Sequence, residues 1–317
     1  MSFHIVSIDS PQCSISCRDG QLTCKVPGEP EKKLPIEDVA SIIITSFSAS
    51  IHSQLFLEAA RHGVSLIICE SFKPVSLLLP ANRSTDTLLT RALLKLDQKT
   101  IARLWQQTVD AKCQNQCSLA AHFSPGDSSL GALRESAYGK KLHKEAICAK
   151  LFWQIFGRAH GEDDFSRDRS AAGLNSLLNY GYAVLLSTIL QKIFGVGLDP
   201  TFGISHSTRE RSTPLAYDLM EPFRPCVDWR VIQWMERRAS TASAASGDLF
   251  SAGSLEVNAD FRKWVTGFPL ERVEYLDLTL DVRGCIEGVV RGFRRAVLQG
   301  DSRFYKPWTQ KNSKWAG

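Results

Sequence analysis

The stretch that decides the fold is residues 64–98, VSLIICESFKPVSLLLPANRSTDTLLTRALLKLDQ, because the chain changes from strand to helix within it. Residues 64–69 and 75–79 are apolar runs of strand length. The polar residues 80–86, PANRSTD, have no apolar period, and their proline ends the second strand. From about residue 86 onward, apolar residues recur with the period of a helix. The stretch therefore predicts a domain boundary near residue 80.

The residues before this boundary predict a small, mainly β domain. Residues 13–26 alternate apolar and polar side chains on either side of Asp19 and Gly20, which is a strong signal for a two-residue hairpin turn. Residues 39–45 form a further β-branched run of strand length. Residues 53–63, SQLFLEAARHG, are typical of one short helix that a serine caps and a glycine ends.

The residues after the boundary have helical periodicity almost throughout. Amphipathic stretches occur at about 86–98, 99–122, 139–157, 174–194, 214–221, 228–239 and 271–298. The small-residue stretch 240–247, STASAASG, is typical of a mobile loop. The tail from Tyr305 to Gly317 is basic, aromatic and without a period, so it is either disordered or ordered against a partner.

These patterns predict an α+β chain with a small mainly β N-terminal domain and a larger α-helical C-terminal domain. We place the β domain at residues 1–80, a linker at 81–88, the helical domain at 89–300 and the tail at 301–317. The length of 317 residues agrees with two domains, because a single core rarely keeps growing beyond about 250 residues.

The composition, with 44% hydrophobic and 22% charged residues, excludes wholesale disorder. A net charge of +5 permits an anionic partner such as nucleic acid without requiring one. Nine cysteines without a CxxC pair indicate neither a disulfide framework nor a thiolate zinc site. The start MSFHIVSIDSPQC lacks the features of a signal peptide, and the apolar runs are shorter than the roughly 20 residues of a membrane span. We expect a cytoplasmic protein that binds no membrane.

The helix predicted at residues 139–157, GKKLHKEAICAKLFWQIFG, carries a carboxylate on its apolar face. At about 100° per residue, Glu145 shares that face with Leu142, Ala149 and Phe152. An ionised carboxylate there must be paired, protonated or bound to a metal, because an unpaired buried charge is costly. From this helix alone, a carboxylate at the rim of the core paired with a lysine or arginine remains the simpler explanation.

A second segment, HSTRERSTPLAYDLMEPFRP from His206, places a histidine before two acids. Pro214 suits the first turn of a helix, on which Asp218 and Glu221 share one face. A loop histidine and two carboxylates on one helical face can converge on a cation, and nitrogen with carboxylate oxygen suits Mg²⁺ or Mn²⁺. A hydrogen-bonded loop histidine followed by helix-face charges explains the same residues equally well.

Four segments, taken in order, resemble the CRISPR-associated endonuclease and integrase subunit of the spacer-acquisition complex. They are KEAICAKLFW, LNSLLNYGYAVLLS, GLDPTFGISH and PLAYDLMEPFRPCVD. The resemblance covers most of the chain, including the β-rich domain and the boundary near residue 80. The separations of 61 and 15 residues between Glu145, His206 and Glu221 also look typical of this family. The form LMEPFRP resembles the branch associated with type II systems.

The resemblance implies that Glu145, His206 and Glu221 are catalytic residues that bind Mg²⁺ or Mn²⁺. Asp218 matches an acidic position that lies close to the metal and contacts its ligands rather than the ion itself. Many relatives have an aspartate as the last ligand, so whether Asp218 or Glu221 contacts the ion stays open, with the LMEPFRP form favouring Glu221. The implied reaction is attack by the 3′-hydroxyl of a DNA fragment on a phosphodiester of a CRISPR array, together with cleavage of branched or single-stranded DNA.

Basic residues surround the predicted ligands, and we expect them to contact DNA phosphates without reading sequence. They are Lys141, Lys144, Arg209, Arg211 and Arg224, with Lys140 and Arg230 nearby. For any one of them, a solvated face is the alternative. Asn175 and Asn179 lie on an otherwise apolar helix and predict structural hydrogen bonds rather than chemistry.

The resemblance also implies partners. Double-stranded and branched DNA are the expected substrates, and a homodimer is expected to form largely through the β-rich domain. A small ferredoxin-like CRISPR-associated protein would bridge two such dimers into a heterohexamer. Two alternatives are a non-catalytic DNA-binding scaffold of the same fold and a metal-dependent phosphodiesterase acting on small molecules. The latter would have a compact neutral pocket and an activity insensitive to salt.

Overall fold

The computed structural model of the protein describes residues 4–78, 86–168, 170–207, 212–242, 255–310 and 315. Most of the predicted linker at 81–88 and the greater part of the loop predicted at 240–247 lie outside these residues. All nine cysteines are free, as their spacing predicts. No described helix is both long and apolar enough to cross a membrane.

The N-terminal domain consists of two four-stranded sheets and one helix. Its elements are β1 (His4–Ile8), β2 (Ser14–Arg18), β3 (Gln21–Lys25), β4 (Lys32–Pro35), β5 (Val39–Ile44), β6 (Ser50–Ile51), α1 (Gln54–Arg61), β7 (Ser65–Glu70) and β8 (Lys73–Leu78). The first sheet has the order β1-β5-β7-β8, with β8 antiparallel to β7 and the other pairs parallel. The second has the order β4-β3-β2-β6.

The hairpin predicted at Asp19 and Gly20 is confirmed. Strands β2 and β3 are antiparallel, and Arg18 pairs with Gln21 across the turn. Asp19 and Gly20 have φ angles of 50° and 72°. Both central residues of a type I′ turn need positive φ, which glycine adopts without strain and aspartate tolerates. Helix α1 also lies where the sequence predicts it.

Strand β5 is buried on both faces and joins the two domains. Because side chains alternate along a strand, Ile42 and Ile44 pack into the core of the N-terminal domain, together with Leu66 of β7. Ile43 and Ile67 point to the other side, into the core of the helical domain. The first sheet is therefore a layer between two cores.

The C-terminal domain is mainly helical, as predicted. Its elements are α2 (Thr87–Leu94), α3 (Gln98–Phe123), α4 (Leu130–Tyr138), α5 (Lys144–Ala159), α6 (Leu174–Gly195), α7 (Pro214–Met220), α8 (Arg224–Ala242), α9 (Ala259–Thr266), β9 (Arg272–Tyr275), β10 (Leu278–Asp281) and α10 (Val282–Gln299). Helix α6 is buried along almost its whole length. It packs against β5, β7, α7, α8, α9 and α10 and forms the centre of the domain.

The prediction of a helix at residues 271–298 is wrong for residues 272–281. Strands β9 and β10 form an antiparallel hairpin there, and Leu276 and Asp277 have positive φ angles of 47° and 65° in the turn. The sequence LTLDV has the period of a strand, which the longer helical pattern obscured. Asp281 then caps α10 by accepting a hydrogen bond from the backbone N–H of Gly284.

The described residues of the C-terminal tail pack against the helical domain of the same chain. The Tyr305 hydroxyl lies 3.0 Å from Thr108 Oγ1. The Trp308 ring stacks on Phe223 with 5.6 Å between centroids, and its indole N–H donates to the Glu274 carbonyl. Trp315 is also buried. The tail is therefore a part of this core, which local sequence could not reveal because its partners are distant in the chain.

We predict that Trp308→Ala lowers the free energy of unfolding by about 3–5 kcal/mol, the usual cost of removing a large buried aromatic side chain. Trp308 is 1% exposed, whereas Leu298, at 43%, is a suitable control. Urea unfolding followed by circular dichroism measures both variants. A loss for Trp308→Ala no larger than that for Leu298→Ala would show that the tail does not belong to the core.

Candidate active site

Two of the predicted catalytic residues, His206 and Glu221, line a cavity of about 220 Å³ between α3, α5, α6 and the segment from His206 into α8. Its polar lining consists of Lys112, Gln116, Arg167, Tyr182, His206, Glu221, Arg224 and Asp228. Glu145 is not a lining residue, but it forms an ion pair with Lys112, which is one. Residues that are up to about 120 positions apart in sequence thus share one site.

Glu221 is a buried carboxylate held between two cations. Helix α7 starts at Pro214, as predicted, and a 3₁₀ turn at Glu221–Phe223 leads directly into α8. Arg224 Nε donates to Glu221 Oε1 at 2.8 Å, and Lys112 Nζ lies 2.6 Å from Oε2 without hydrogen-bond alignment. Burial raises the pKa of Glu221, but the charges of Arg224 and Lys112 outweigh it and lower the pKa to about 2. Glu221 is therefore ionised.

Glu145 shares the same lysine. Lys112 Nζ donates to Glu145 Oε1 at 2.7 Å, so one ammonium contacts both carboxylates. The Lys112 side chain is only 12% exposed. Burial lowers the pKa of Lys112, but Glu221 and Glu145 outweigh it and raise the pKa above its ordinary value. The sequence of the helix left open that Glu145 is a carboxylate paired with a lysine or arginine, and the structure has such a pair with Lys112.

The predicted surroundings of Glu145 are partly wrong. Helix α5 begins at Lys144, because His143 has a left-handed backbone conformation with φ 55°. Leu142 therefore lies outside the helix and is 81% exposed, instead of sharing an apolar face with Glu145. Glu145 lies in the first turn of α5, at the edge of the buried face, with its side chain 36% exposed.

Asp218 organises the loop that carries His206. It is fully buried and accepts hydrogen bonds from the backbone N–H groups of Ile204, Ser205 and His206, at 2.6 to 3.2 Å. Its Oδ1 also accepts from His206 Nδ1 at 2.7 Å, which raises the pKa of the histidine. The sequence could not reveal that both Asp218 oxygens are occupied by loop donors.

The fixed loop defines which histidine nitrogen is available. With Nδ1 bound to Asp218, the Nε2 atom of His206 is left for a second partner. Gly203 permits the close packing, because a Cβ there would lie 2.7 Å from the His206 carbonyl oxygen and 2.8 Å from Asp218 Oδ2. The glycine in GISH therefore has a steric role.

The basic residues predicted to contact DNA have different environments. Lys141 is exposed and pairs with Glu135 at 2.9 Å. Lys144 is buried and pairs with Asp110 of α3. Arg224 is bound to Glu221 and also covers the Tyr182 ring at 4.8 Å. Arg209 and Arg211 lie outside the described residues. Of the described members, Lys141 alone is an exposed charge.

Five polar lining residues were not identified from sequence: Lys112, Gln116, Arg167, Tyr182 and Asp228. The Arg167 guanidinium donates to Asn175 Oδ1 and Asn179 Oδ1, each at 2.7 Å, which confirms the structural role predicted for both asparagines.

Asp228 is fully buried, and Tyr182 donates to its Oδ1. Its Oδ2 has no hydrogen-bond partner in the described part of the chain. A carboxylate in the apolar sequence PCVDW is the signal that could have revealed it, as for Glu145.

The described residues include no group of three or more His, Cys, Asp or Glu side chains arranged to hold a metal. Lys112 forms ion pairs with both Glu145 and Glu221. The donor types nevertheless suit Mg²⁺ or Mn²⁺, because two carboxylates share one ammonium beside a cavity that an imidazole also lines.

The family model described as CRISPR associated protein Cas1 matches residues 6–251. The chain belongs to the Cas1 family. A curated relative, the CRISPR-associated endonuclease Cas1 of Neisseria meningitidis serogroup C (strain 8013), is 31% identical over 240 residues, which cover 74% of this chain and 76% of the relative.

Solved structures share the fold of this Cas1 family member. A casposase bound to an integration product matches with a TM-score of 0.75 and 20% identity, covering 100% of this chain and 96% of that one. A chain of a Cas6-RT-Cas1–Cas2 complex matches with a TM-score of 0.73 and 16% identity, covering 98% of this chain and 36% of that one. These likenesses confirm the predicted fold class, with its β-rich first and helical second part.

The buried Asp228 predicts a pH dependence of stability. Burial raises its pKa from 3.8 to about 7. Between these values the folded protein binds a proton that the unfolded chain has lost, so the free energy of unfolding falls as pH rises, by at most about 1.4 kcal/mol per pH unit. Asp228→Asn removes this decrease. The free energy of unfolding of the variant, relative to that of wild type, therefore rises from pH 4 to pH 7.

Urea unfolding across this pH range measures the effect. The exposed Asp260 of α9 provides a control, since Asp260→Asn should leave the pH profile of wild type unchanged. Parallel profiles for Asp228→Asn and wild type would show that Asp228 is not held protonated by burial.

Proposed function

We propose that this protein is a divalent-metal-dependent DNA endonuclease and integrase. It inserts DNA fragments into a CRISPR array by attack of a 3′-hydroxyl on a phosphodiester. The observation that carries this proposal is the sharing of one cation by Glu145 and Glu221, beside a cavity that His206 also lines. Membership of a family with a relative named as an endonuclease supports the same activity.

Glu145, Glu221 and Nε2 of His206 are the groups that would hold Mg²⁺ or Mn²⁺. When bound, a divalent ion stabilises charge on the phosphoryl oxygens and orients the attacking and leaving oxygens. His206 is a ligand in this proposal and not a general base, because Asp218 fixes its Nδ1 and its backbone. Asp218 has both oxygens occupied by loop donors, which favours Glu221 as the carboxylate that contacts the ion.

Charges around the cavity favour an anionic substrate. Arg167 and Arg224 line it, and the exposed Lys141 lies on the segment before α5. Double-stranded and branched DNA are the proposed substrates, and Lys141, Lys144, Arg209, Arg211 and Arg224 are the proposed DNA-binding residues. The casposase structure, which contains an integration product, supports this substrate class.

The proposed assembly is a homodimer formed through the β-rich domain, joined to a second dimer by a small ferredoxin-like partner in a heterohexamer. The relative in the Cas1–Cas2 complex supports a second CRISPR-associated protein as partner. Phe47 and Leu57 of the N-terminal domain are 78% and 54% exposed and provide apolar surface for such contacts. The type II-like branch and a prokaryotic cytoplasmic location stay predictions.

We predict that His206→Ala and Glu221→Ala each reduce strand transfer by about 10²-fold or more, because each removes a group that stabilises the transition state through the ion. The assay uses labelled branched DNA with Mn²⁺ or Mg²⁺. Glu236→Ala on α8, an exposed carboxylate away from the cavity, should remain active. Wild-type protein that binds DNA but is inactive with every divalent ion would instead support the non-catalytic scaffold.

We predict that Asp218→Asn reduces strand transfer by about 10- to 100-fold, the usual effect of changing a residue that orients a metal ligand. The asparagine keeps one acceptor but places an NH₂ group against the N–H donors of the loop. DNA binding should persist. A loss as large as that of Glu221→Ala would indicate that Asp218 contacts the ion directly.

A further inference from the structure

Lys112 occupies the position in which the proposed metal would be bound. Its Nζ lies 2.7 Å from Glu145 Oε1 and 2.6 Å from Glu221 Oε2. Without this ammonium, the buried Glu221 would keep Arg224 as a partner, but the partly exposed Glu145 would lie near a second carboxylate, and like charges repel. Lys112 is thus the counter-ion that stabilises the carboxylate pair in the absence of metal.

An ammonium and a divalent ion cannot share these oxygens. Both are cations, and at such separations in a poorly solvated site their repulsion is strong. Arg224 does not raise the same conflict, because it binds the other Glu221 oxygen and covers the Tyr182 ring. Metal binding therefore requires Lys112 to leave its present position.

Apart from Glu221 Oε2, two buried acceptors that line the cavity have no hydrogen-bond partner among the described residues, Gln116 Oε1 and Asp228 Oδ2, and of these Asp228 is the carboxyl group. Asp228 lines the same cavity as Lys112, and its Oδ2 is buried without a hydrogen-bond partner among the described residues. Tyr182 already holds the other oxygen, Oδ1. The ammonium of Lys112 and the carboxyl group of Asp228 thus line one cavity. Pairing the two would satisfy a buried ammonium and a buried carboxylate together.

We propose that Lys112 is a mobile counter-ion that moves from Glu145 and Glu221 to Asp228 when the divalent metal binds. The inference rests on the proposed metal site and adds a residue that sets its affinity. Without metal, the Lys112 ammonium stabilises the carboxylates of Glu145 and Glu221. Because metal binding must displace this ammonium, the free energy of displacement lowers the affinity for metal. Asp228 offsets part of that cost.

The first test compares Mn²⁺ affinity in wild type and Lys112→Met by electron paramagnetic resonance of the free ion. We expect Lys112→Met to bind Mn²⁺ about 5- to 150-fold more tightly, the usual range for coupled sites. Lys192→Met is a matched control, since Lys192 is also a mostly buried lysine paired between helices, with Glu287 at 3.0 Å. Its affinity should equal that of wild type. Unchanged or weaker binding by Lys112→Met overturns the proposal.

The second test examines the destination of the lysine with a double-mutant cycle. Asp228→Asn should weaken Mn²⁺ binding in the wild-type background, because the displaced lysine loses its acceptor. In the Lys112→Met background the same substitution should have no effect. Equal effects in both backgrounds would show that Asp228 does not receive Lys112.

A third variant decides the question if Lys112→Met does not fold. Lys112→Arg keeps the charge that the carboxylates need, and its planar guanidinium can bind both of them more rigidly than lysine does. We expect it to fold and to bind Mn²⁺ at least about 5-fold more weakly than wild type. Wild-type affinity in this variant would contradict the displacement of Lys112.

The failures of the two proposals are distinguishable. If wild type binds Mn²⁺ and transfers strands while Lys112→Met shows unchanged affinity, the inference about Lys112 fails and the proposed function stands. If folded wild type neither binds Mn²⁺ nor transfers strands with any divalent ion, the proposed function fails, and the inference about Lys112 fails with it.

Discussion

The burial of the Glu221 carboxylate is the constraint on which the architecture of the site depends. At 3% exposure it must be compensated, and Arg224 and Lys112 provide the two cations. Lys112 comes from α3 and also binds Glu145 of α5, so one electrostatic requirement connects three elements around the cavity. A buried ion pair adds little net stability compared with apolar packing, so stability alone does not account for this arrangement.

Hydrogen bonds with two neighbouring helices, α6 and α3, fix residues of the site. Helix α6 is buried between the first sheet and the other helices, and its Asn175 and Asn179 position Arg167 at the cavity. On the opposite side, Asn115 of α3 donates to the carbonyl oxygens of Pro222 and Trp308. The turn that carries Glu221 is thereby connected to the C-terminal tail. None of the described tail residues lines the cavity itself.

Local sequence was sufficient wherever the determining residues are close together in the chain. The Asp19 and Gly20 turn follows from backbone preferences of two residues, and the start of α7 follows from Pro214. The strand-to-helix boundary follows from a change of apolar period. The prediction failed at residues 272–281, because a short alternating pattern there was included in a longer helical one. It also failed at Leu142, because the left-handed conformation of His143 makes the helix begin at Lys144.

The sequence by itself determined the order of the two domains and, through its resemblance to a family, three predicted residues of the candidate site, Glu145, His206 and Glu221. Only the tertiary structure decided how those residues are paired. Lys112 is 33 residues from Glu145 and 109 from Glu221, and no periodicity relates them. Asp228 and Tyr182, which are hydrogen-bonded, are likewise separated by 46 residues in the sequence. Electrostatic compensation of a buried charge depends on distance in space, so its partners emerge only when the helices pack.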